Sequence, residues 1–227
     1  MTTADPWAPF EWLAASEIQA GPLDVIFSVS FFRGLDPSEV VRRFNNGEDS
    51  SQELDFEQLN DRMVEFLEKT GGGSGGGHVG VFPAGEWSVA IEPYGFWATD
   101  RDVLADLSRG CEVLAITRHD YASHSLAYAI DSTLVTAHDL EIPYNRWGSD
   151  PDRLNDYMRE LGMVLDSSDN ETDWDAVTKI NYNIAVPRAF ALAAKVTGVS
   201  FTPVMLNQPL LVGPIAYRWP LPGRGAT

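Results

Sequence analysis

The residues best suited to chemistry lie in "RHDYASH", 118–124, where Arg118, His119, Asp120 and His124 crowd one short stretch. Two imidazoles and a carboxylate are the donor types of a zinc site, but such a site needs them to converge with further ligands. His119 and His124 stand five positions apart across a predicted turn, so they share a metal ion only if the turn folds back on itself. A surface turn is the simpler reading. Arg146 and Trp147, in "YNRWGSDPD", add a cation and an indole in a loop just before a capped helix. A tryptophan there either anchors the fold or meets a partner. These six residues are the candidate ligand or partner contacts. No catalytic residue, metal ligand or cofactor is assigned.

Other chemistries fail on context. Cys111 sits beside Glu112, and a neighbouring carboxylate raises a thiol pKa, the wrong direction for a nucleophile. His78 and His138 are lone histidines, read as surface residues or hydrogen-bonded strand ends. "DSSDNETDWD" lacks the glycine and closing glutamate of a calcium loop and reads as an acidic helix start. No G-x-S-x-G elbow is present. The tract "GGGSGGG", 71–77, is followed by a predicted strand rather than by Lys-Ser/Thr and a helix, so it is no phosphate loop. It reads as a flexible helix-to-strand connection with a reach of about 15 Å. A natural loop and an inserted spacer fit it equally.

Charge is the strongest global feature. The chain of 227 residues has a formal net charge of −17. Such a field repels nucleic acid and anionic membranes and attracts basic proteins. Two segments concentrate it: eight carboxylates lie within 48–68 and nine within 150–175. Beyond residue 176 there are only bases, which either pack against acidic parts of the chain or form a mildly basic tail. A single cysteine excludes an internal disulfide. The first basic side chain is Arg33, unlike the start of a secretory signal. Apolar runs fall short of a membrane span. The expected setting is the cytoplasm.

The elements that must hold these residues are legible in outline. Apolar and β-branched runs predict strands at 23–32, 78–82, 86–92, 111–119, 124–131 and 133–139, the last three forming a meander. "PYG" turns the chain at 93–95, and Phe96-Trp97 is expected to begin a return strand. Helices are expected at about 8–18, 37–44, 53–69, 100–107 and 149–162, and at 173–183 and 187–197, separated because of Pro187, with one more helical turn from Pro203. Trp12, Trp87 and Trp97 fall in apolar patterns and are expected in the core. The fold class is α+β, a largely antiparallel sheet packed with several helices. Residues 1–22 are a docking segment, 23–215 a single domain and 216–227 a tail.

"FFRGLDPSEVVRRF", "EWSVAIEPYGF", "NRWGSDPDRL" and "TGVSFTPVMLNQPLLVGPI" together resemble a family of uncharacterised actinobacterial proteins, over about Leu23 to Ile215. The resemblance implies an intracellular bacterial α+β domain and no activity. Pro93-Tyr94-Gly95 stands where that family has an Asn-Gly turn.

Two functions are therefore expected from these residues. One is a non-catalytic, immunity-like or effector-associated protein that binds a basic protein, with no nucleic acid and no membrane involved. The other is a small-molecule sensor or hydrolytic enzyme, with its site near the 118–124 turn and the Trp147 loop.

Overall fold

The computed structural model describes residues 5–14, 21–71, 75–119, 122–166 and 171–218, with backbone alone for 171–183. Nine strands form one sheet. They are β1 (Phe27–Arg33), β2 (Gln52–Leu54), β3 (His78–Ala84), β4 (Trp87–Pro93), β5 (Glu112–Arg118), β6 (Ser125–Ile130), β7 (Thr133–Asp139), β8 (Arg146–Trp147) and β9 (Leu210–Pro214). Their order is β2-β9-β3-β4-β1-β5-β6-β7-β8. Every neighbouring pair is antiparallel. The helices are α1 (Pro37–Phe44), α2 (Phe56–Thr70), α3 (Arg101–Leu107), α4 (Asn155–Glu160) and α5 (Glu171–Thr197). The fold is a single-domain α+β.

Both faces of the sheet are covered. Phe27, Val29 and Phe31 of β1 point to the layer built by α2, α4, α5 and the 3₁₀ turn at Ala8–Leu13. Phe32 points to the opposite layer, with Val40, Val41 and Phe44 of α1 and Val103, Leu104 and Leu107 of α3. Period-two alternation along a strand sends successive side chains into different cores. In the first core Phe190 lies 6.4 Å from Phe27 and 5.5 Å from Phe201, which in turn meets Trp12 at 5.6 Å. Burying each such ring contributes roughly 1.5–3 kcal/mol.

Local chemistry fixes the helix starts. Asp36 accepts from Glu39 N, with Pro37 in the first turn. Asp55 and Gln58 form a reciprocal capping box, and Asp100 accepts from Asp102 N and Val103 N. Gly71 closes α2 in the left-handed conformation at φ 65°.

Several expectations need correction. The first strand begins at Phe27 because residues 21–24 turn, with Asp24 at φ 64°. The second helix begins at Phe56, after the short strand β2. Phe96-Trp97 opens no strand: Trp97–Thr99 is a 3₁₀ turn leading into α3. Only Asn155–Glu160 of 149–162 is helical, because Ser149 N and Asp150 N donate to Leu134 O and Val135 O and keep the chain on the sheet edge. Pro187 does not divide α5. It forfeits one donor, while Ala185, Val186, Ala189, Phe190 and Leu192 on the same stretch are buried and hold the helix down.

Glycines 75–77 are seated against the protein. Gly75 bridges Arg218, and a Cβ there would stand 2.3 Å from Trp97 Cζ2. Ile215 N donates to Gly77 O. At Gly75 an indole occupies the space a side chain would need, at Gly76 the Arg218 guanidinium does, and Gly77 packs on Met63.

Candidate functional site

Arg118, His119 and His124 flank the β5–β6 turn, and the structure separates their side chains. Arg118 is buried and donates from Nη1 to Leu13 O at 3.3 Å, toward the α5 layer. The His119 ring lies 6.0 Å from Phe96, next to Trp97 of the opposite layer. His124 is buried, and its Nδ1 accepts from the His119 backbone N–H at 3.3 Å. That places the neutral ring's proton on Nε2, which faces Glu141 Oε1 at 3.7 Å. Burial raises the Glu141 pKa. His124 is thus braced by its own turn, and its second nitrogen points to a buried carboxylate. Asp120 lies outside the described residues. Among the described residues, no group of three or more His, Cys, Asp or Glu could hold a metal ion.

Arg146 and Trp147 form the edge strand β8, so adjacent side chains leave opposite faces. Arg146 is nearly buried and donates to Pro143 O at 2.6 Å, Leu165 O at 3.3 Å and Asp152 Oδ1 at 3.0 Å. It anchors the fold. Trp147 is 43% exposed and lines a cavity of about 620 Å³ with Arg101, Asp102, Ser132 and Ser149. Gly148 makes this placement possible, since at φ 134° a Cβ would meet Val135 O at 2.2 Å. None of Arg118, His119 and His124 lines that cavity. Of the five described candidates, Trp147 alone lines it.

The family of unknown function DUF6461 matches residues 2–211. The chain belongs to that family. No curated protein and no solved structure matches the chain.

The two acidic segments of this DUF6461 chain differ in how their charge is met. In the first, all eight carboxylates between Glu48 and Glu68 are exposed on β2, α2 and the turns around them. One of them, Glu65, pairs with a cation, Lys69 at 2.5 Å. The nearby Arg62 donates to Gln52 instead. In the second, Asp152, Asp156 and Glu160 pair with Arg146, Arg159 and Lys195. The Lys195–Glu160 contact is where the basic end meets an acidic part of its own chain.

Three ionisable features escaped the sequence. Glu92, at the end of β4, is fully buried and accepts from Trp97 N at 2.9 Å and Ala98 N at 3.0 Å. Burial pushes its pKa up to about 7 against the pull of those two amides and of Ser28. His138, read as a surface residue or a hydrogen-bonded strand end, is the latter, next to Asp139 O and fully buried, and desolvation first, then the Arg146 charge, holds its pKa down at about 4. The alternation of Ser88, Ala90 and Glu92 reads as a solvated face, and nothing local announces that α1 and α3 cover it. Cys111 is half-buried and its pKa is raised, by burial first and then by Glu39 and Asp131, against the pull of Arg43; the adjacent Glu112 is not a cause. The third feature is a convergence of Arg42, Arg43 and Arg109, 66 residues apart in sequence and joined by the packing of α1 on α3.

Proposed function

We propose that this DUF6461 chain is a non-catalytic binding protein for a basic protein partner, which docks on the acidic face made by β2 and α2. One observation carries this reading: of the eight exposed carboxylates in 48–68, on β2, α2 and the turns beside them, a single one is paired with a cation among the described residues. Like charges held on one rigid face repel one another, and the repulsion is relieved when a cationic surface approaches. The described part of the second acidic segment, with cations already on Asp152, Asp156 and Glu160, has less to gain. Among the described residues no helix is long and apolar enough to cross a membrane. The motif resemblance supports an actinobacterial cytoplasm as the setting, and an immunity-like or effector-associated role suits a protein that covers a basic surface.

The test is capture of partners from the source lysate at low and high salt, with the triple change Glu57→Lys, Asp61→Lys, Glu68→Lys in parallel. The expected result is a basic protein retained at low salt, shed at high salt, and lost from the charge-reversed chain. Screening at high ionic strength shortens the reach of such contacts to a few ångströms. Retention unchanged by the reversal removes the acidic face from the explanation.

A second reading, a small-molecule sensor, is favoured by the exposed Trp147 in its cavity of about 620 Å³. It moves the site away from the 118–124 turn. A ligand there would change indole emission in the native chain and not in Trp147→Phe.

A further inference from the structure

The chain has 16 basic residues against 33 acidic ones, yet three of its arginines line one cavity of about 400 Å³ between α1 and α3. Arg42 and Arg43 come from the last turn of α1 and Arg109 from the turn after α3. The Tyr217 ring forms part of the wall and stacks on Trp97 at 6.0 Å. Two carboxylates share the cavity. Glu39 bridges the first pair, with Oε1 to Arg43 Nε at 2.8 Å and Oε2 to Arg42 Nε at 2.8 Å. Asp106 accepts from Arg109 Nη2 at 2.7 Å. Three guanidiniums against two carboxylates leave the cavity net positive on a strongly negative molecule.

The hydrogen-bond pattern shows what is unused. Arg43 Nη1 is spent on Leu107 O at 2.7 Å, Arg109 O at 2.8 Å and the Cys111 sulfur at 3.3 Å, which locks the guanidinium in place. Its Nη2 makes no hydrogen bond among the described residues, nor do Arg42 Nη1, Arg109 Nε and Arg109 Nη1. Four N–H-bearing nitrogens on the three guanidiniums that line the cavity thus have no protein partner among the described residues. The carboxylates orient these groups without using them up. Free guanidinium edges brought together from separate elements suit a tetrahedral, multiply charged oxyanion, whose oxygens take parallel N–H donors. A planar monocarboxylate would use one such edge.

We propose that this cavity is a binding site for the phosphate group of a small phosphorylated molecule. It is a different surface from the β2–α2 face and stands or falls independently of it.

The experiment is calorimetric titration of the full chain with inorganic pyrophosphate and orthophosphate, with acetate as the planar control, in buffer of physiological ionic strength. Saturable binding of one equivalent is expected, at least tenfold tighter for pyrophosphate than for acetate. Arg109 is largely exposed, so Arg109→Gln leaves folding intact, which circular dichroism checks. That variant is expected to weaken pyrophosphate binding about tenfold, and Arg42→Gln with Arg109→Gln to abolish it. Absence of saturable binding overturns the site. So does equal affinity in the double variant, or acetate binding as tightly as pyrophosphate.

Discussion

Glu92 and His138 make an instructive pair. Both are fully buried ionisable side chains on the same sheet, and burial pushes both toward the neutral form. Their surroundings are otherwise opposite. Glu92 accepts two backbone amides and so holds the turn at Trp97–Thr99 against the end of β4. Gly95 fits over it because a Cβ there would come 2.7 Å from Glu92 Cβ. His138 lies 3.1 Å from Asp139 O through Nδ1. A carbonyl accepts, so Nδ1 bears the proton, and Nε2 is left with no partner among the described residues. One residue is a bracket between two elements. The other is a polar group that the core tolerates. Burial alone does not tell which buried charge matters; the number of backbone groups that depend on it does.

The largest effect separates them directly. Glu92→Leu strands two buried amide donors, each costing about 1–3 kcal/mol, so a loss of about 4 kcal/mol is expected. His138→Leu strands at most one carbonyl, which has a second lone pair, and removes an unsatisfied nitrogen. Its expected change is within about 1 kcal/mol of zero. Denaturant unfolding of both variants at pH 6 measures the contrast. Equal losses would break it.

A second expectation concerns pH and has opposite signs at the two sites. The folded pKa of Glu92 is raised from 4.5 to about 7, so the folded state holds a proton that the unfolded state has shed. Its contribution is fully present below pH 4.5 and is lost as pH rises toward 7. The folded pKa of His138 is lowered from 6.5 to about 4. There the unfolded state binds the extra proton, and stability falls as pH drops from 6.5 toward 4. Each slope is about 1.4 kcal/mol per pH unit, and between pH 4.5 and 6.5 they cancel. Single variants expose what the native chain hides. Relative to the native chain, Glu92→Gln should gain stability as pH rises through that window, and His138→Leu should lose it. Parallel profiles for the three proteins would show that neither group titrates as its burial implies.

The same contrast explains what the sequence disclosed. The helix that starts at Pro37 and the strand runs were legible because their signals are local, as in the meander from Glu112 to Asp139. Glu92 was not legible, because what closes over it is the 3₁₀ turn Trp97–Thr99, where a return strand was expected. β2 and β9 were missed because a three-residue edge and a strand joined only to distant partners leave almost no periodicity. Pro187 misled in the other direction, since tertiary packing outweighed one lost helical bond. Among the candidate contacts, Arg146 and Trp147 are neighbours whose side chains part to opposite faces, as alternation requires once β8 is recognised as a strand. Arg42, Arg43 and Arg109 could be found only after α1 and α3 were placed side by side.

The smallest effect probes the bracket without removing it. Ser28 is fully buried on β1, donates to Ile116 O at 3.3 Å and also favours the charged form of Glu92. Ser28→Ala is a small change in volume, and the lost hydroxyl should cost about 1 kcal/mol. The informative readout is where the pH dependence ends. In the native chain the decline from Glu92 stops near pH 7, its folded pKa. Without the hydroxyl the carboxylate has one stabilising group fewer, so its folded pKa moves further up and the decline should continue beyond pH 7. A decline that ends at the same pH in both proteins would mean that Ser28 serves the Ile116 carbonyl alone, and that the two backbone amides are all that holds the charge on Glu92.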